Sequence, residues 1–199
     1  MITMQKASIT LKEAMEEFIL DCKVRNLAKD TISYYKQSFR HFSQYLKSVF
    51  EDKEINMKED IKKKTIDQYI LYMQEKQTKD ITINNKLRGV RSILYFFMQN
   101  DYIDTFKIKL IKEDETMPNL YTTQEVATLV KKPNIKTCTF AEYRSWVVIC
   151  FFVATGVRSR TLRFMRIADL DFENQLISLG TTKGRKQICI PMSTALKKI

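Results

Sequence analysis

Hydrophobic residues in the first hundred positions recur every three or four residues, the spacing of one buried face of an α-helix. This spacing predicts four helices, at about residues 11–25, from 30 or 31 to 49, at 64–76, and from 80 to about 97. Residues 1–103 contain no proline and a single glycine, Gly89, so short polar turns are expected between the helices. The pattern therefore predicts an N-terminal four-helix bundle.

The helical pattern stops between residues 105 and 120, where lysines and acidic residues precede the sequence Met-Pro-Asn-Leu. Such a sequence is typical of an extended linker. We therefore expect a helical domain at 8–104, a linker at 105–119 and a second domain at 120–199.

The second domain begins with a predicted short helix from Thr122 or Thr123 to 131, followed by an almost wholly apolar helix at 140–155 that is expected to be buried. From 167 onward, apolar and polar residues alternate, which predicts three short antiparallel strands. A last helix starts at Ser193 or Thr194 and has barely begun at Ile199, so a truncated domain is expected. The predicted fold class is mainly α, with an α+β second domain that contains a small three-stranded antiparallel sheet.

The net charge of +11 favours a polyanionic partner, because cationic side chains displace the counterions of phosphates. Residues 1–103 carry 18 basic and 14 acidic side chains, and residues 104–199 carry 16 and 9, so the excess lies toward the second domain. Four widely separated cysteines suggest neither a zinc site nor a disulfide framework, and a reduced cytoplasmic location is expected. The longest apolar run, 146–154, is too short for a bilayer, so no membrane association is expected.

Two cations stand at the most distinctive positions of the chain. Arg158 follows Gly156 at the end of the apolar helix, and Lys183 lies at the tip of the predicted hairpin. A guanidinium suits two phosphate oxygens. The alternatives are an arginine that binds terminal helix carbonyls and a lysine that is merely solvated.

Polar and basic residues with helical spacing form candidate DNA-binding surfaces. In the first domain they are Thr31, Tyr34, Lys36, Asn84, Asn85, Lys86, Arg88 and Arg91. In the second domain they are Arg160, Arg163, Arg185 and Lys186. A solvated helix face is the alternative interpretation of the first group.

The sequence ATGVRSRTLRFMRIADLDFENQLISLGTTKGRKQICIPM, which begins at Ala154, resembles the first half of the catalytic domain of the tyrosine recombinases, or phage integrase family. The sequences DTISYY from Asp30 and ITINNKL from Ile81 lie in a region similar to that family's core-binding domain, a four-helix bundle of the SAM-like type. The two resemblances together cover roughly residues 8–199.

The resemblance implies that Arg158 contacts the scissile phosphate and that Lys183 assists the leaving 5′ oxygen. It implies no metal and no cofactor. Thr161 stands where the family usually has an acidic residue, and no His-x-x-Arg motif follows the hairpin. His41, the only histidine, lies in the first domain. Residues 1–199 alone are therefore expected not to cleave DNA.

The leading hypothesis is a DNA-binding fragment of a site-specific recombinase that breaks and rejoins double-stranded DNA through a phosphotyrosine intermediate. We expect a monomer in isolation, because tetramers on DNA are implied only for a complete enzyme. The alternatives are a non-catalytic DNA-binding regulator or remnant that occupies recombination sites, and a helical protein-interaction module.

Overall fold

The computed structural model describes residues 9–51, 53–114, 117–180 and 187–199. The chain divides into two compact units, Met1–Thr116 and Met117–Ile199. Each unit is described by itself below.

Five helices make up the described part of unit 1. They are α1 (Leu11–Val24), α2 (Lys29–Phe50), α3 (Met57–Asp60), α4 (Lys63–Glu75) and α5 (Asp80–Gln99). The four long helices match the predicted bundle within one or two residues at most ends. The single turn α3 was not predicted; the side chain of Asn56 caps it by accepting hydrogen bonds from the N–H groups of Lys58 and Glu59.

Helix α5 supplies more of the unit 1 core than any other element. Nine of its residues are buried, because apolar side chains recur along it from Ile83 to Met98. The largest side chains that contact this core are aromatic: Phe42 of α2 and Tyr69 of α4 pack edge to face with their ring centroids 5.2 Å apart. Burial raises the pKa of the Tyr69 hydroxyl far above its usual value.

The segment after α5 has no helix or strand, yet part of it belongs to the core of unit 1. Ile103 is 2% exposed and Ile108 is 4% exposed. Phe106, Leu110 and Ile111 are half-buried against the same core. The first half of the predicted linker is therefore packed onto the bundle, because the apolar side chains between its lysines cover the hydrophobic surface of the helices.

Unit 2 contains short elements around one long helix. They are α6 (Thr123–Leu129), α7 (Phe140–Thr155), α8 (Ser159–Arg163), a 3-10 turn (Ile167–Asp169), β1 (Leu170–Asp171), β2 (Leu176–Leu179), β3 (Ile188–Pro191) and α9 (Thr194–Lys197). The strands form an antiparallel sheet in the order β1-β2-β3. The predicted fold class, mainly helical with a small three-stranded sheet, is confirmed.

The hydrophobic centre of unit 2 lies between α7 and the sheet. Ile177 and Leu179 point to the same face of β2 and are buried with Phe151 and Met192. The indole Nε1 of Trp146 donates to the carbonyl of Val130, 2.9 Å away, and so ties α7 to the end of α6.

Helix α7 is less buried than its sequence predicts. Only Trp146, Cys150 and Phe151 are buried, whereas Phe140 is 79% exposed and Val153 is 55% exposed. The reason is geometric, since the described neighbours of this apolar helix cover one side of it. Across the described ranges, no helix combines the length and apolarity needed to cross a bilayer.

Candidate nucleic-acid interface

Helices α2 and α5 pack closely at Gly89. A Cβ atom added there would lie 2.2 Å from the Ser38 Oγ and 3.2 Å from the Tyr34 Cζ. Ser38 is itself 3% exposed. The hydrogen side chain of Gly89 therefore permits a contact that brings the polar residues of the two helices together.

Tyr34 lies across this helix pair. Its hydroxyl donates a hydrogen bond to the backbone carbonyl of Asn85. Burial raises the pKa of Tyr34, and the nearby Arg88 charge lowers it to a smaller extent. The predicted residues Tyr34, Asn85 and Arg88 thus lie together.

The imidazole of His41 lies near positive charges on both helices. Burial is the main cause that lowers the pKa of its imidazole, and the charges of Lys86 on α5 and Arg40 on α2 lower it further. Arg40 was not predicted as a site residue, although it stands four residues after Lys36, the spacing that places two residues on one side of a helix. Tyr34, Arg40, His41, Asn85, Lys86 and Arg88 are called the α2–α5 basic surface below.

Arg88 is partly neutralised within unit 1. Its guanidinium Nη2 lies 3.5 Å from Oε1 of Glu113, in an ion pair whose side chains are 45% and 32% exposed. A pair of this exposure contributes little to stability because water screens it. It nevertheless places an acidic group beside the α2–α5 basic surface.

The prediction that Asn84 lies on an exposed DNA-binding surface is wrong. Asn84 is 1% exposed. Its Nδ2 donates to the carbonyl of Ile111 at 2.9 Å, and its Oδ1 accepts from the Ile111 N–H at 3.0 Å. Helical spacing could not distinguish this position from its exposed neighbour Asn85, because the segment that covers Asn84 comes from about 27 residues further along the chain.

The remaining predicted residues of unit 1 differ in exposure. Lys36 and Asn85 are exposed, whereas Thr31, Lys86 and Arg91 are half-buried. Arg91 follows Arg88 by three residues on α5, so the two lie on neighbouring parts of that helix.

Hydrogen bonds of Thr155 and Gly156 stabilise the turn that precedes Arg158 in unit 2. Gly156 ends α7 with a φ of 62°, in the left-handed region, and its N–H donates to the carbonyl of Phe152 at 2.8 Å. The Thr155 Oγ1 donates to the carbonyl of Phe151 at 2.6 Å and accepts from the Val157 N–H at 3.4 Å. Val157 packs against the hydrophobic centre of the unit.

Arg158 follows as the extended N-cap residue of α8, and it is exposed. Among the residues that the structure describes, no hydrogen bond or ion pair engages its guanidinium. Within the described residues, Arg158 therefore does not bind the terminal carbonyls of the helix, which was the alternative interpretation.

Two further predicted arginines lie around an exposed aromatic ring. The guanidinium carbons of Arg160 and Arg163 are 5.8 Å and 6.0 Å from the ring centroid of Phe164, which is 68% exposed. Thr161, at the position where an acid was expected, is half-buried in the same turn of helix.

Lys183, Arg185 and Lys186 lie outside the described residues. The strands on either side pair in register, with Leu179 opposite Ile188 and Ile177 opposite Ile190. In the described ranges, no group of three or more His, Cys, Asp or Glu side chains is arranged to hold a metal ion.

Unit 1 thus carries a basic helix pair, and unit 2 carries a hydrogen-bonded turn that is followed by an exposed arginine. Fixed guanidinium and ammonium groups can bind phosphate oxygens and stabilise charge that develops on them.

Comparison with known proteins finds similar sequences in one family. A sequence model of the phage integrase family matches residues 119–199. The tyrosine recombinase XerD of Oceanobacillus iheyensis is 26% identical over 191 residues, which cover 94% of this chain and 62% of XerD. XerC of Staphylococcus carnosus is 23% identical over 193 residues, with the same shares of 94% and 62%.

Solved structures share the fold. The integrase of phage lambda, as a dimer bound to a core site, matches with a TM-score of 0.69 at 14% identity over 92% of this chain and 62% of that one. The Tn1549 transposon integrase, in complex with circular intermediate DNA, matches with a TM-score of 0.65 at 19% identity over 93% and 62%. The fold is that of the DNA-bound integrases.

Residues 119–199 thus match the phage integrase family model, and most of the chain is similar in sequence to tyrosine recombinases. It spans about 62% of the length of the curated relatives it matches.

Proposed function

We propose that this chain is a DNA-binding portion of a site-specific tyrosine recombinase. In this proposal, unit 1 binds the phosphate backbone of a duplex through the α2–α5 basic surface, and unit 2 binds the scissile phosphate through Arg158. The observation that carries the proposal is the hydrogen-bonded turn from Thr155 to Arg158, which positions the backbone of an arginine whose side chain is exposed.

The physical role of Arg158 follows from its placement. Attack on a phosphodiester builds negative charge on the non-bridging oxygens, and a cation that is already in position stabilises that charge without reorganisation. Residues 155 to 158 are fixed by the left-handed glycine and by the two hydrogen bonds of Thr155, so the arginine backbone needs little ordering when DNA binds.

The role of Lys183 in this proposal rests on the resemblance to the family. An ammonium group can deliver a proton to a departing alkoxide. Strand cleavage and rejoining belong to the whole recombinase in this proposal, as does assembly into a tetramer on DNA, whereas the chain alone is expected to be a monomer.

The α2–α5 basic surface supports duplex binding through the cluster of Arg40, His41 and Lys86, with Lys36 and Arg91 on the same two helices. Phosphate contacts give affinity and orientation, and contacts to base edges give sequence preference. Asn85 is an exposed amide that can reach a base edge, whereas Asn84 is committed to the backbone of Ile111.

Fluorescence anisotropy with a labelled duplex at several salt concentrations tests the proposal. The slope of log affinity against log salt should be negative, with each phosphate contact contributing about 0.9 to its magnitude. Lys86→Gln should weaken binding and reduce this magnitude by about 1, because one phosphate contact is lost. Arg158→Gln should act in the same direction.

The matched control is Lys12→Gln, which removes the same charge from α1, where Lys12 is 86% exposed beside Glu16. Its affinity should stay close to that of the unaltered chain. If Lys86→Gln and Arg158→Gln bind as Lys12→Gln does, the DNA-facing assignment is wrong and a protein-interaction module becomes the better interpretation.

The regulator hypothesis predicts the same binding without catalysis. A chain that is completed by the rest of a recombinase in trans, and that then forms a covalent adduct with DNA dependent on Arg158, would exclude it.

A further inference from the structure

The segment that follows α5 packs on the bundle through apolar side chains, and one polar side chain, Asn84, fastens its far end. Residues 104–111 run across unit 1 without regular secondary structure, and Ile108 inserts into the core with 4% of its surface exposed. The far end of the packed segment is Ile111, whose backbone N–H and carbonyl both bond to Asn84.

Asn84 bonds to Ile111 as a neighbouring β-strand would. Its amide offers one donor and one acceptor at 2.9 Å and 3.0 Å, and the two bonds satisfy both backbone groups of Ile111. A buried amide without partners is costly, so the side chain and the segment each require the other. An apolar residue of similar size at position 84 would leave both backbone groups of Ile111 without partners.

A second contact follows directly along the chain. Glu113 lies 3.5 Å from Arg88, one helical turn beyond Asn84 on α5. The two contacts lie one turn apart on α5, so residues 111–113 run beside the N-terminal half of that helix.

We propose that Asn84 is a positioning residue that sets the length of the connector between the two DNA-binding units. This inference rests on the proposed function. With Asn84 in place, residues 112–121 connect Ile111 to Thr122, the N-cap of α6. These roughly 10 residues span at most about 36 Å. Without the two Asn84 hydrogen bonds, Ile108 still anchors the segment in the core, and the connector runs from 109 to 121, roughly 13 residues, with a maximum span of about 47 Å.

A shorter connector raises the effective concentration of unit 2 at a duplex that unit 1 has already bound. Effective concentration falls roughly as the −3/2 power of connector length, so this change corresponds to a factor of about 1.5 in affinity. Asn84 therefore favours simultaneous binding of both units without contacting DNA.

The test compares three altered chains with the unaltered one. The first carries Asn84→Leu, the second carries eight inserted Gly and Ser residues after the exposed Asn119, and the third carries both changes. The insertion lengthens the connector without altering the core of unit 1, so it remains informative if Asn84→Leu folds poorly. Ile83→Val, at a fully buried position on the same helix, controls for lost stability.

Two measurements are made on each chain. Trypsin cleavage after Lys109 and Lys112, both exposed, reports release of the segment around Ile111. Asn84→Leu should speed this cleavage by about tenfold or more, as expected for two lost hydrogen bonds, and the insertion should not. Anisotropy with a labelled duplex at low salt should show affinity reduced about 1.5-fold by Asn84→Leu and about two- to threefold by the insertion.

The double variant decides the mechanism. If Asn84 acts through connector length, the connector of the double variant has roughly 21 residues, and its affinity should fall about threefold, more than with either change alone. If Asn84→Leu is cleaved faster but binds the duplex with unchanged affinity, Asn84 has a purely structural role and the proposal is overturned. Unchanged cleavage would show that Asn84 does not hold the segment.

Failure of the proposed function has a different signature. If the unaltered chain does not bind the duplex at low salt, DNA binding is refuted and the positioning role falls with it. The proteolysis comparison still establishes in that case whether Asn84 fastens the segment.

Discussion

Substitution of Gly89 by alanine should destabilise unit 1, although alanine is the better helix former. The added Cβ would lie 2.2 Å from Oγ and 2.5 Å from Cβ of Ser38. Rotation of the Ser38 side chain can move Oγ but cannot move Cβ. Because carbon atoms pack at about 3.5–4.0 Å, α2 and α5 would have to separate by at least about 1 Å.

The expected cost follows from two opposing effects. Overpacking of a close contact costs about 1–3 kcal/mol, and alanine regains about 1 kcal/mol in helix propensity. The net loss should be up to about 2 kcal/mol, which lowers the melting temperature of a domain of this size by up to roughly 16 °C. Thermal unfolding followed by far-ultraviolet circular dichroism measures this change.

A suppressor substitution provides the decisive control. Ser38→Gly removes both clashing atoms, so Gly89→Ala should cost less in a Ser38→Gly background than in the unaltered chain. Gly180→Ala is the matched glycine control, because a Cβ added at Gly180 meets no atom within 4 Å. Two results would contradict this explanation. One is that Gly89→Ala raises the melting temperature, and the other is that Gly89→Ala costs as much stability in the Ser38→Gly background as in the unaltered chain. In either case, the close approach of α2 and α5 is not the reason for glycine at this position.

Three further outcomes are expected. Because burial and the charges of Lys86 and Arg40 lower the pKa of His41, the stability that this group contributes is present above its ordinary pKa of 6.5 and is lost as the pH falls through the lowered value. Proton NMR of this single imidazole should also show a higher pKa with DNA, since phosphates offset the two cations; an identical pKa with and without DNA would argue against the α2–α5 basic surface. Gly156→Ala should lower the stability of unit 2 by about 1–2 kcal/mol because φ is 62°, and Gly156→Asn should lower it less; equal losses in denaturant unfolding would contradict the left-handed turn. Thr139→Ala removes the N-cap bond to the N–H of Glu142 and should cost about 1 kcal/mol, and an unchanged unfolding midpoint would show that this cap does not stabilise α7.

The helices and strands followed closely from local sequence. Thr139 with Glu142 at one end and Gly156 at the other specify α7 at the predicted residues, because capping groups and a left-handed glycine act within one turn of the chain. The three strands were predicted from alternation that faces one small hydrophobic centre. The single turn α3 was missed, since four residues are too few to show a hydrophobic period.

The resemblance around Arg158 also depended on residues that are close in sequence. A Thr-Gly turn after an apolar helix is a local pattern, and the structure holds it with bonds between residues two to four positions apart. The burial of α7 was not predictable in the same way, because the exposure of an apolar helix depends on what packs around it.

Contacts between distant segments were decided by tertiary structure alone. Asn84 and Asn85 are adjacent and chemically identical, yet one is buried against Ile111 and the other is exposed. Arg40 joins Lys86 only because α2 and α5 pack side by side, and that packing depends on the absence of a side chain at Gly89. Local periodicity determines which face of a helix is apolar, whereas the choice of the segment that covers each polar position is a long-range property of the folded chain.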